Sequence, residues 1–334
     1  MSNKNNCPVC DGVAKLVIKK EHKLFRKERF EIYSHFYKCD KCEEEFTTTA
    51  TDNLNINQVY NQYREYHNMP LPDQFKYIRN NYGLSAAKMS MILGLGTNQW
   101  SLYEKGDIPN ESNSQLIELI FNPENFKVCL KKRKKVLEKD YDKIVQKINK
   151  AVEDNKYLCN NAQNLFFNPL DLPDEYNGYQ MPSIEKFANI VIYFLDSASL
   201  VTRLNKFLFY ADFLNFKRIG HSISGYNYAA IPLGPVPQDY KTIYDLLEGN
   251  KFISTVPYES NYETTEKFVA RKEFDRSLFS DAELTTLETV INDLSTLSTD
   301  KIIKMSHEEI GWQENVDRKR IISYQKYGFK LKYM

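Results

Sequence analysis

The spacing of apolar residues predicts three consecutive short helices from Pro72 onward. Residues 72–82 repeat apolar side chains at helical intervals, and Gly83 then ends the first helix. Residues 86–93 and 97–104 predict two more helices, separated by the turn Gly94-Leu95-Gly96. Two short helices around a glycine-containing turn are typical of a helix-turn-helix. An ordinary helical hairpin with a solvated polar face has the same periodicity, so it stays open at this point.

The C-terminal half has longer apolar helices and one strand-like segment. The predicted elements are helices over residues 184–195, 200–216 and 240–247, an extended turn over 220–226, strand character over 252–269, a helix opened by the capping box Ser280-Asp281-Ala282-Glu283, and a last helix around 302–312. Near the N-terminus, residues 15–19 have strand character, and Phe30, Ile32 and Phe36 then alternate with Glu31, Tyr33 and Tyr37. Together these patterns predict a multidomain α+β fold.

Four of the six cysteines form two C-x-x-C pairs on either side of the N-terminal strand pattern. The pairs are Cys7 with Cys10 and Cys39 with Cys42. Two such pairs can supply the four sulfurs of a tetrahedral site, which suits zinc best. Four sulfurs leave no open coordination position, so the predicted role of the zinc is structural, in a small zinc ribbon. The alternative is that the two pairs never meet.

The remaining cysteines, Cys129 and Cys159, stand alone in helical patterns and are predicted to be packing thiols. The composition adds few constraints on function. A length of 334 residues favours two or three domains, and a net charge of +1 means that any basic surface must be local. No apolar run reaches the roughly 18 residues of a membrane span, and the N-terminus lacks the apolar stretch of a signal peptide. We therefore expect a cytoplasmic globular protein without a membrane partner.

The third predicted helix carries side chains suited to reading DNA. In a helix-turn-helix the second helix of the pair enters the major groove, and its N-terminal residues meet the base edges. Thr97, Asn98, Gln99 and Ser101 are the candidate DNA-binding residues, because all four are short hydrogen-bonding side chains near that end. Asn and Gln suit bidentate contact with adenine. Trp100 and Tyr103 are expected to face the core.

The order of these motifs resembles the MqsA family of antitoxins. The segments that carry the resemblance are C-P-V-C, C-D-K-C and G-L-S-A-A-K-M-S-M-I-L-G-L-G-T-N-Q-W-S-L-Y-E-K-G-D-I-P, between Cys7 and about Asn125. The resemblance implies a zinc-binding N-terminal domain, which binds the toxin in MqsA relatives, and an Xre-type helix-turn-helix that represses its own operon. It also places Asn98 on the family's DNA-contacting asparagine. One position departs, because Leu102 stands where the family often has arginine, and leucine cannot bind a phosphate or a guanine edge.

A basic run follows the helix-turn-helix. Residues 131–135 read K-K-R-K-K, and an amphipathic helix over residues 126–154 carries Leu137, Tyr141, Ile144, Ile148 and Val152 on one face. The basic run either touches DNA phosphates or is a solvated helix face. The apolar stripe either packs on the domains or pairs with a second copy in a homodimer, which would place two recognition helices about one DNA turn apart. Residues 160–182 are predicted to form an irregular connection.

The C-terminal motifs resemble the Panacea domain, also called the SocA-like antitoxin domain. The segments that carry the resemblance are L-N-K-F-L-F-Y-A-D-F from Leu204, G-Y-N-Y from Gly225, L-G-P-V-P from Leu233 and S-H-E-E-I-G-W from Ser306, where many relatives have threonine in place of Ser306. The resemblance implies a mainly helical domain with a small β element that neutralises a toxin encoded beside it by direct binding. It does not indicate the toxin's chemistry or the toxin-binding residues.

These observations predict an antitoxin rather than an enzyme. The predicted domains are residues 1–60, a zinc ribbon; 61–125, an Xre-type helix-turn-helix; 126–180, an amphipathic helix and linker; and 181–334, a Panacea domain. The predicted partners are operator DNA and a cognate toxin from an adjacent gene. A stand-alone regulator with a ligand- or protein-sensing C-terminal domain stays open. A hydrolase that uses His307 or Asp212 is the third alternative, although no catalytic motif supports it.

Overall fold

The computed structural model describes residues 4–158, 166–167, 171–259 and 264–334. Cys159 and most of residues 160–170 therefore lie outside the described residues. The chain divides into two compact units. The first comprises Met1–Tyr63, Asp174–Gln180 and Ile184–Met334, and the second comprises Arg64–Pro173 and Met181–Ser183. The predicted α+β class is confirmed. In the part of the chain that the structure describes, no helix has the length and apolarity that a membrane crossing requires.

Strands form one sheet and two hairpins. In chain order the strands are β1 (Lys4–Asn6), β2 (Val13–Phe25), β3 (Glu28–Cys39), β4 (Glu45–Phe46), β5 (Tyr228–Ile231), β6 (Gly234–Pro237), β7 (Ile253–Glu259) and β8 (Thr264–Ala270). The first four make an antiparallel sheet in the order β1-β2-β3-β4, and the others pair as β5-β6 and β7-β8. The β5–β6 hairpin was absent from the sequence-based prediction.

Helices make up most of the rest. They are α1 (Thr49–Tyr66), α2 (Pro72–Asn81), α3 (Ala86–Leu93), α4 (Gln99–Glu104), α5 (Glu111–Ile120), α6 (Pro123–Lys132), α7 (Lys134–Leu137), α8 (Tyr141–Leu158), α9 (Ile184–Phe194), α10 (Val201–Ile219), α11 (Tyr240–Gly249), α12 (Asp281–Leu294), α13 (Thr299–His307), α14 (Ile310–Gln313) and α15 (Tyr324–Tyr327). The capping box predicted at Ser280 is present at the start of α12. The helix predicted around residues 302–312 is divided into α13 and α14.

The long β2–β3 hairpin buries a different face of β3 near Cys39 from the one that the alternation indicated. Phe30 and Ile32 are buried as expected, but Phe36 is only half-buried whereas Tyr37 is buried. Tyr37 lies on the same side of β3 as Cys39, and both pack in the small core around the cysteines. The buried face therefore changes along β3, because its two ends pack against different neighbours.

Helix α1, which the apolar periodicity did not predict, pairs its side-chain amides with the open edge of β3. Gln58 accepts from the Tyr33 N–H at 2.8 Å through Oε1 and donates to the Tyr33 carbonyl at 2.9 Å through Nε2. Asn55 forms the same pair of bonds with His35, at 2.8 and 2.9 Å. Side chains three residues apart on a helix face the same way, so they meet alternate residues of a strand. The polar helix thus satisfies backbone groups that would otherwise be unpaired.

The second unit is helical around one apolar core. Trp100 and Tyr103 are buried in this core, as predicted. The amphipathic helix predicted over residues 126–154 is interrupted, since α6, α7 and α8 are separate elements. Ile144 and Ile148 of α8 are buried in the same core, which accounts for the apolar stripe within a single chain.

The C-terminal region is organised around α10. Every residue from Leu204 to Phe216 is buried, so this helix is surrounded on all sides. Helices α9, α12 and α13 and strand β6 pack against it. Polar residues within such a helix must find partners inside the protein, because water cannot reach them.

Candidate metal centre, helix-turn-helix and C-terminal domain

The four predicted cysteines lie together. The Sγ atoms of Cys7 and Cys42 are 3.6 Å apart, and the Sγ atom of Cys10 is 3.5 Å from that of Cys39 and 3.3 Å from that of Cys42. All four sulfur atoms lie within 4.8 Å of one another. A tetrahedral zinc with Zn–S bonds of about 2.3 Å separates its sulfurs by about 3.8 Å. The cluster thus has nearly the dimensions of an S4 site, and its donor set fits zinc.

The two C-x-x-C loops have the same backbone design. After each second cysteine comes a residue with positive φ, Asp11 at 54° and Glu43 at 60°. The N–H of Asp11 donates to the Cys7 carbonyl at 3.0 Å, and the N–H of Glu43 donates to the Cys39 carbonyl at 3.1 Å. These turns direct both thiols of each pair to the same side. A pseudo-symmetric pair of knuckles results, although the cysteines are 29 to 35 residues apart across the pairs.

Backbone amides point at the sulfur atoms. The N–H of Val9 donates to Cys7 Sγ at 3.4 Å, and the N–H of Lys41 donates to Cys39 Sγ at 3.3 Å. Backbone N–H groups of Cys42 and Lys41 lower the pKa of Cys39 to about 6. Such donors favour the thiolate, which is the form that binds a metal. Cys129, in contrast, is half-buried beside the core of the second unit, as a packing thiol would be.

Two short helices joined by a glycine turn are present in the second unit, where the helix-turn-helix is predicted. Ser85 caps α3 by accepting from the Lys88 N–H at 3.3 Å, and Gly94 ends α3 with a φ of 74°. The Ser90 hydroxyl then accepts from the Trp100 N–H at 3.1 Å, which fixes the start of α4 against α3. A positive φ favours glycine, so the turn depends on Gly94.

An ion pair joins α4 to α2. Arg79 Nε donates to Glu104 Oε1 at 2.5 Å, and the same oxygen accepts from Trp100 Nε1 at 2.8 Å. Both charged side chains are mostly buried. These contacts hold the inner face of α4 against α2.

The four candidate DNA-binding residues lie at the start of α4. Thr97 and Asn98 are exposed and precede the helix, which begins at Gln99 and not at residue 97. Gln99 and Ser101 are half-buried. Among the described residues, none of the four side chains has a hydrogen-bond partner. Leu102, where the MqsA pattern has arginine, is 41% exposed. The geometry leaves these polar groups available to a ligand.

In the C-terminal domain, Asp212 holds the extended turn that follows α10. Its Oδ1 accepts from the N–H groups of Ile223 at 2.7 Å and Ser224 at 2.8 Å. Its Oδ2 accepts from the Ser224 hydroxyl at 2.6 Å and the Tyr228 hydroxyl at 2.8 Å. Burial raises the pKa of Asp212 above its usual value, and these four hydrogen bonds oppose that shift.

Glu309 is a second buried carboxylate with only internal partners. It accepts from the Tyr210 hydroxyl at 3.3 Å and from the backbone N–H groups of Lys332 at 2.9 Å and Tyr333 at 3.4 Å. Burial raises the pKa of this carboxyl as well. Glu309 thus ties the C-terminal segment to α10.

Lys206 explains a glycine of the motif L-G-P-V-P. Its Nζ is fully buried and donates to the Pro235 carbonyl at 3.1 Å, and burial lowers the pKa of Lys206 to about 7. A Cβ at Gly234 would lie 2.6 Å from Lys206 Cε and 2.6 Å from Ser306 Oγ, and Gly234 has a φ of 98°. No other residue fits this position without displacing the lysine.

The S-H-E-E-I-G-W motif packs against the β5–β6 hairpin. Trp312 Nε1 donates to the Ile231 carbonyl at 2.7 Å, and the His307 ring stacks on Trp312 with 4.0 Å between ring centroids. The Nε2 atom of His307 is buried without a partner among the described residues.

A family model described as the antitoxin SocA-like Panacea domain matches residues 204–313. This chain carries a Panacea domain. The match includes every C-terminal motif from Leu204 to Trp312 and confirms the resemblance inferred from them. No curated protein gives a significant match to the chain. No helix-turn-helix or MqsA family model matches either, so the resemblance to MqsA stays a prediction.

The motif residues of the Panacea domain are mostly internal. Lys206, Tyr210 and Asp212 are all buried on α10. Asp212 and Glu309 have their oxygens engaged by the donors described above. These residues therefore build the interior of the domain. Nothing in their spacing distinguished internal contacts from a binding surface.

Proposed function

We propose that this protein is the antitoxin of a toxin–antitoxin pair, with the Panacea domain binding its toxin directly. The Panacea match carries this proposal, because the matched family is an antitoxin domain. The mechanism is occupancy of a surface and not turnover. In support, the buried carboxylates of Asp212 and Glu309 are engaged by internal hydrogen bonds.

We further propose that the helix-turn-helix binds the operator of the protein's own operon. Support comes from a rigidly held α4 that presents Thr97, Asn98, Gln99 and Ser101 without internal partners. The N-terminal cysteines are proposed to hold one structural zinc ion. The metal would close the two knuckles, and a closed S4 site leaves no position for a substrate.

The decisive experiment expresses the adjacent gene from an inducible promoter, with and without the full-length antitoxin. We expect growth arrest by the neighbour alone, rescue on co-expression, and co-purification of the two proteins. A harmless neighbour, together with intact operator binding, would favour the stand-alone regulator. Substrate turnover that is lost in Asp212→Asn or His307→Ala would favour the hydrolase.

Hydrogen–deuterium exchange of the full-length complex would locate the toxin. The full chain is needed because Met1–Tyr63 and the Panacea domain belong to one compact unit. Protection within residues 204–313 would assign toxin binding to the Panacea domain. Protection confined to residues 7–46 would assign it to the cysteine-bearing ribbon, as in MqsA relatives.

For DNA binding, we expect Asn98→Ala to weaken binding to the operator about 5- to 150-fold, the range of one lost bidentate base contact. Binding to a scrambled duplex should change little, because phosphate contacts carry no sequence information. Fluorescence anisotropy with both duplexes measures this ratio. Asn80→Ala is the matched control, since Asn80 is exposed on α2. An unchanged ratio in Asn98→Ala would remove Asn98 from base recognition.

A further inference from the structure

The basic run lies against the helix-turn-helix turn. A Cβ added at Gly94 would collide with Nη2 of Arg133, so the guanidinium group lies directly on this glycine. Arg133 is the residue at which α6 ends and α7 begins. The break in the predicted long helix therefore occurs where the chain passes the turn between α3 and α4.

Arg133 is close to the base-contacting end of α4. Thr97 is three residues from Gly94, and three residues span at most about 11 Å. The major groove is about 12 Å wide. A cation at Gly94 therefore lies no farther from Thr97 than the width of the major groove. The phosphates that border the groove lie within the same distance of a residue that contacts its bases. Residues 131–135 are close together as well, because five consecutive residues span at most about 14 Å.

Most cations of the run have no anionic partner in the part of the chain that the structure describes. Among the described residues, no ion pair involves Lys131, Lys132, Arg133 or Lys135. Two acidic residues close to the run in sequence already have other partners. Asp140 pairs with Lys88 at 2.6 Å, and Glu124 pairs with Lys127 at 3.0 Å. The lysines of the run are exposed and Arg133 is half-buried.

We propose that Lys131, Lys132, Arg133 and Lys135 bind the phosphate backbone of duplex DNA beside the turn. The proposal rests on operator binding by the helix-turn-helix. It also accounts for Leu102, which stands where the MqsA pattern often has arginine. The contact with the DNA backbone that leucine cannot make is supplied by this neighbouring segment. Each phosphate neutralised releases counterions, so these side chains contribute affinity that depends on salt and not on sequence.

The test measures the dissociation constant of the full-length protein for its own upstream duplex and for a scrambled duplex between 50 and 300 mM KCl. Each phosphate contact is expected to contribute ~0.9 to the slope of log Kd against log salt concentration. The variant Lys131→Gln/Lys132→Gln/Arg133→Gln/Lys135→Gln should have a slope shallower by about 3.6 and bind both duplexes roughly 100-fold more weakly near 100 mM salt. The triple variant Lys131→Gln/Lys132→Gln/Lys135→Gln keeps Arg133 on Gly94, and its slope should be shallower by about 2 to 3. It replaces the quadruple variant if that protein does not fold.

The matched control removes the same number of charges elsewhere. Lys241→Gln/Lys301→Gln/Lys304→Gln changes three exposed lysines of the first unit and should leave the slope unchanged. If the wild type binds DNA but the triple variant loses less than one in slope, the phosphate contact is wrong while operator binding stands. If the wild type binds neither duplex, both proposals fail. A loss confined to the upstream duplex would mean that the run reads bases, and this would also overturn the proposal.

Discussion

Replacing Cys39 with serine is expected to abolish zinc binding and to unfold the knuckle end of the ribbon. Metal binding can contribute about 10 to 16 kcal/mol to the folding of a structural zinc site. The apolar core around the cysteines is small, comprising Cys7, Ala14, Tyr37 and Cys39 as its buried members. Such a core cannot replace the metal, because a few buried side chains contribute only a few kcal/mol.

The two ends of the hairpin should respond differently. Residues 7–16 and 37–46 depend on the knuckles, whereas Tyr33 and His35 are held by the amides of Gln58 and Asn55. Hydrogen–deuterium exchange should therefore accelerate at the knuckle end and stay slow around Tyr33. Treating the wild type with a strong zinc chelator should give the same pattern.

Elemental analysis supplies the direct measurement. The wild type should contain about one zinc per chain, and Cys39→Ser should contain almost none because an S4 site loses most of its affinity with one ligand. Cys129→Ser is the control, since that thiol lies in the second unit. Full zinc content in Cys39→Ser, or unchanged exchange after chelation, would contradict a structural zinc site.

Local signals in the sequence predicted the local features of the fold. The C-x-x-C spacing, the glycine turn at Gly94 and the capping box at Ser280 each depend on a few neighbouring residues, and each is present in the structure. The Panacea motifs were recognisable for the same reason, since each is a short segment.

Features that depend on partners distant in the sequence could not be predicted from local patterns. Helix α1 has few apolar residues because Asn55 and Gln58 face a strand edge, and a helix stabilised by amide pairing has no apolar periodicity to detect. The burial of Tyr37 in place of Phe36 depends on which neighbours cover each end of β3. The position of Arg133 on Gly94 is equally long-range. Polar residues at helical spacing in α1 were the one signal available, and it became meaningful only beside β3.

The role of Asp212 likewise depends on partners elsewhere in the chain. Replacing Asp212 with alanine should lower the stability of the Panacea domain more than any other single change. The variant leaves four buried donors, on Ile223, Ser224 and Tyr228, without their acceptor. Each buried donor left unpaired costs about 1 to 3 kcal/mol, and partial relaxation limits the total to about 3 to 5 kcal/mol. Asp212→Asn keeps one carbonyl oxygen for the two backbone donors, so we expect it to lose about half as much.

Each unit contains one tryptophan, which allows the unfolding of the first unit to be measured separately. In a Trp100→Phe background, Trp312 reports only on the unit that contains the Panacea domain. Urea unfolding followed by its fluorescence should give a much lower midpoint for Asp212→Ala, an intermediate one for Asp212→Asn, and no change for Asp245→Ala, an exposed residue on α11. A carboxylate kept for catalysis would behave differently, because its removal from a buried site often stabilises the fold while it abolishes activity. Stability that falls in this order would identify Asp212 as the acceptor that shapes the turn, and equal stability in all three variants would refute that role.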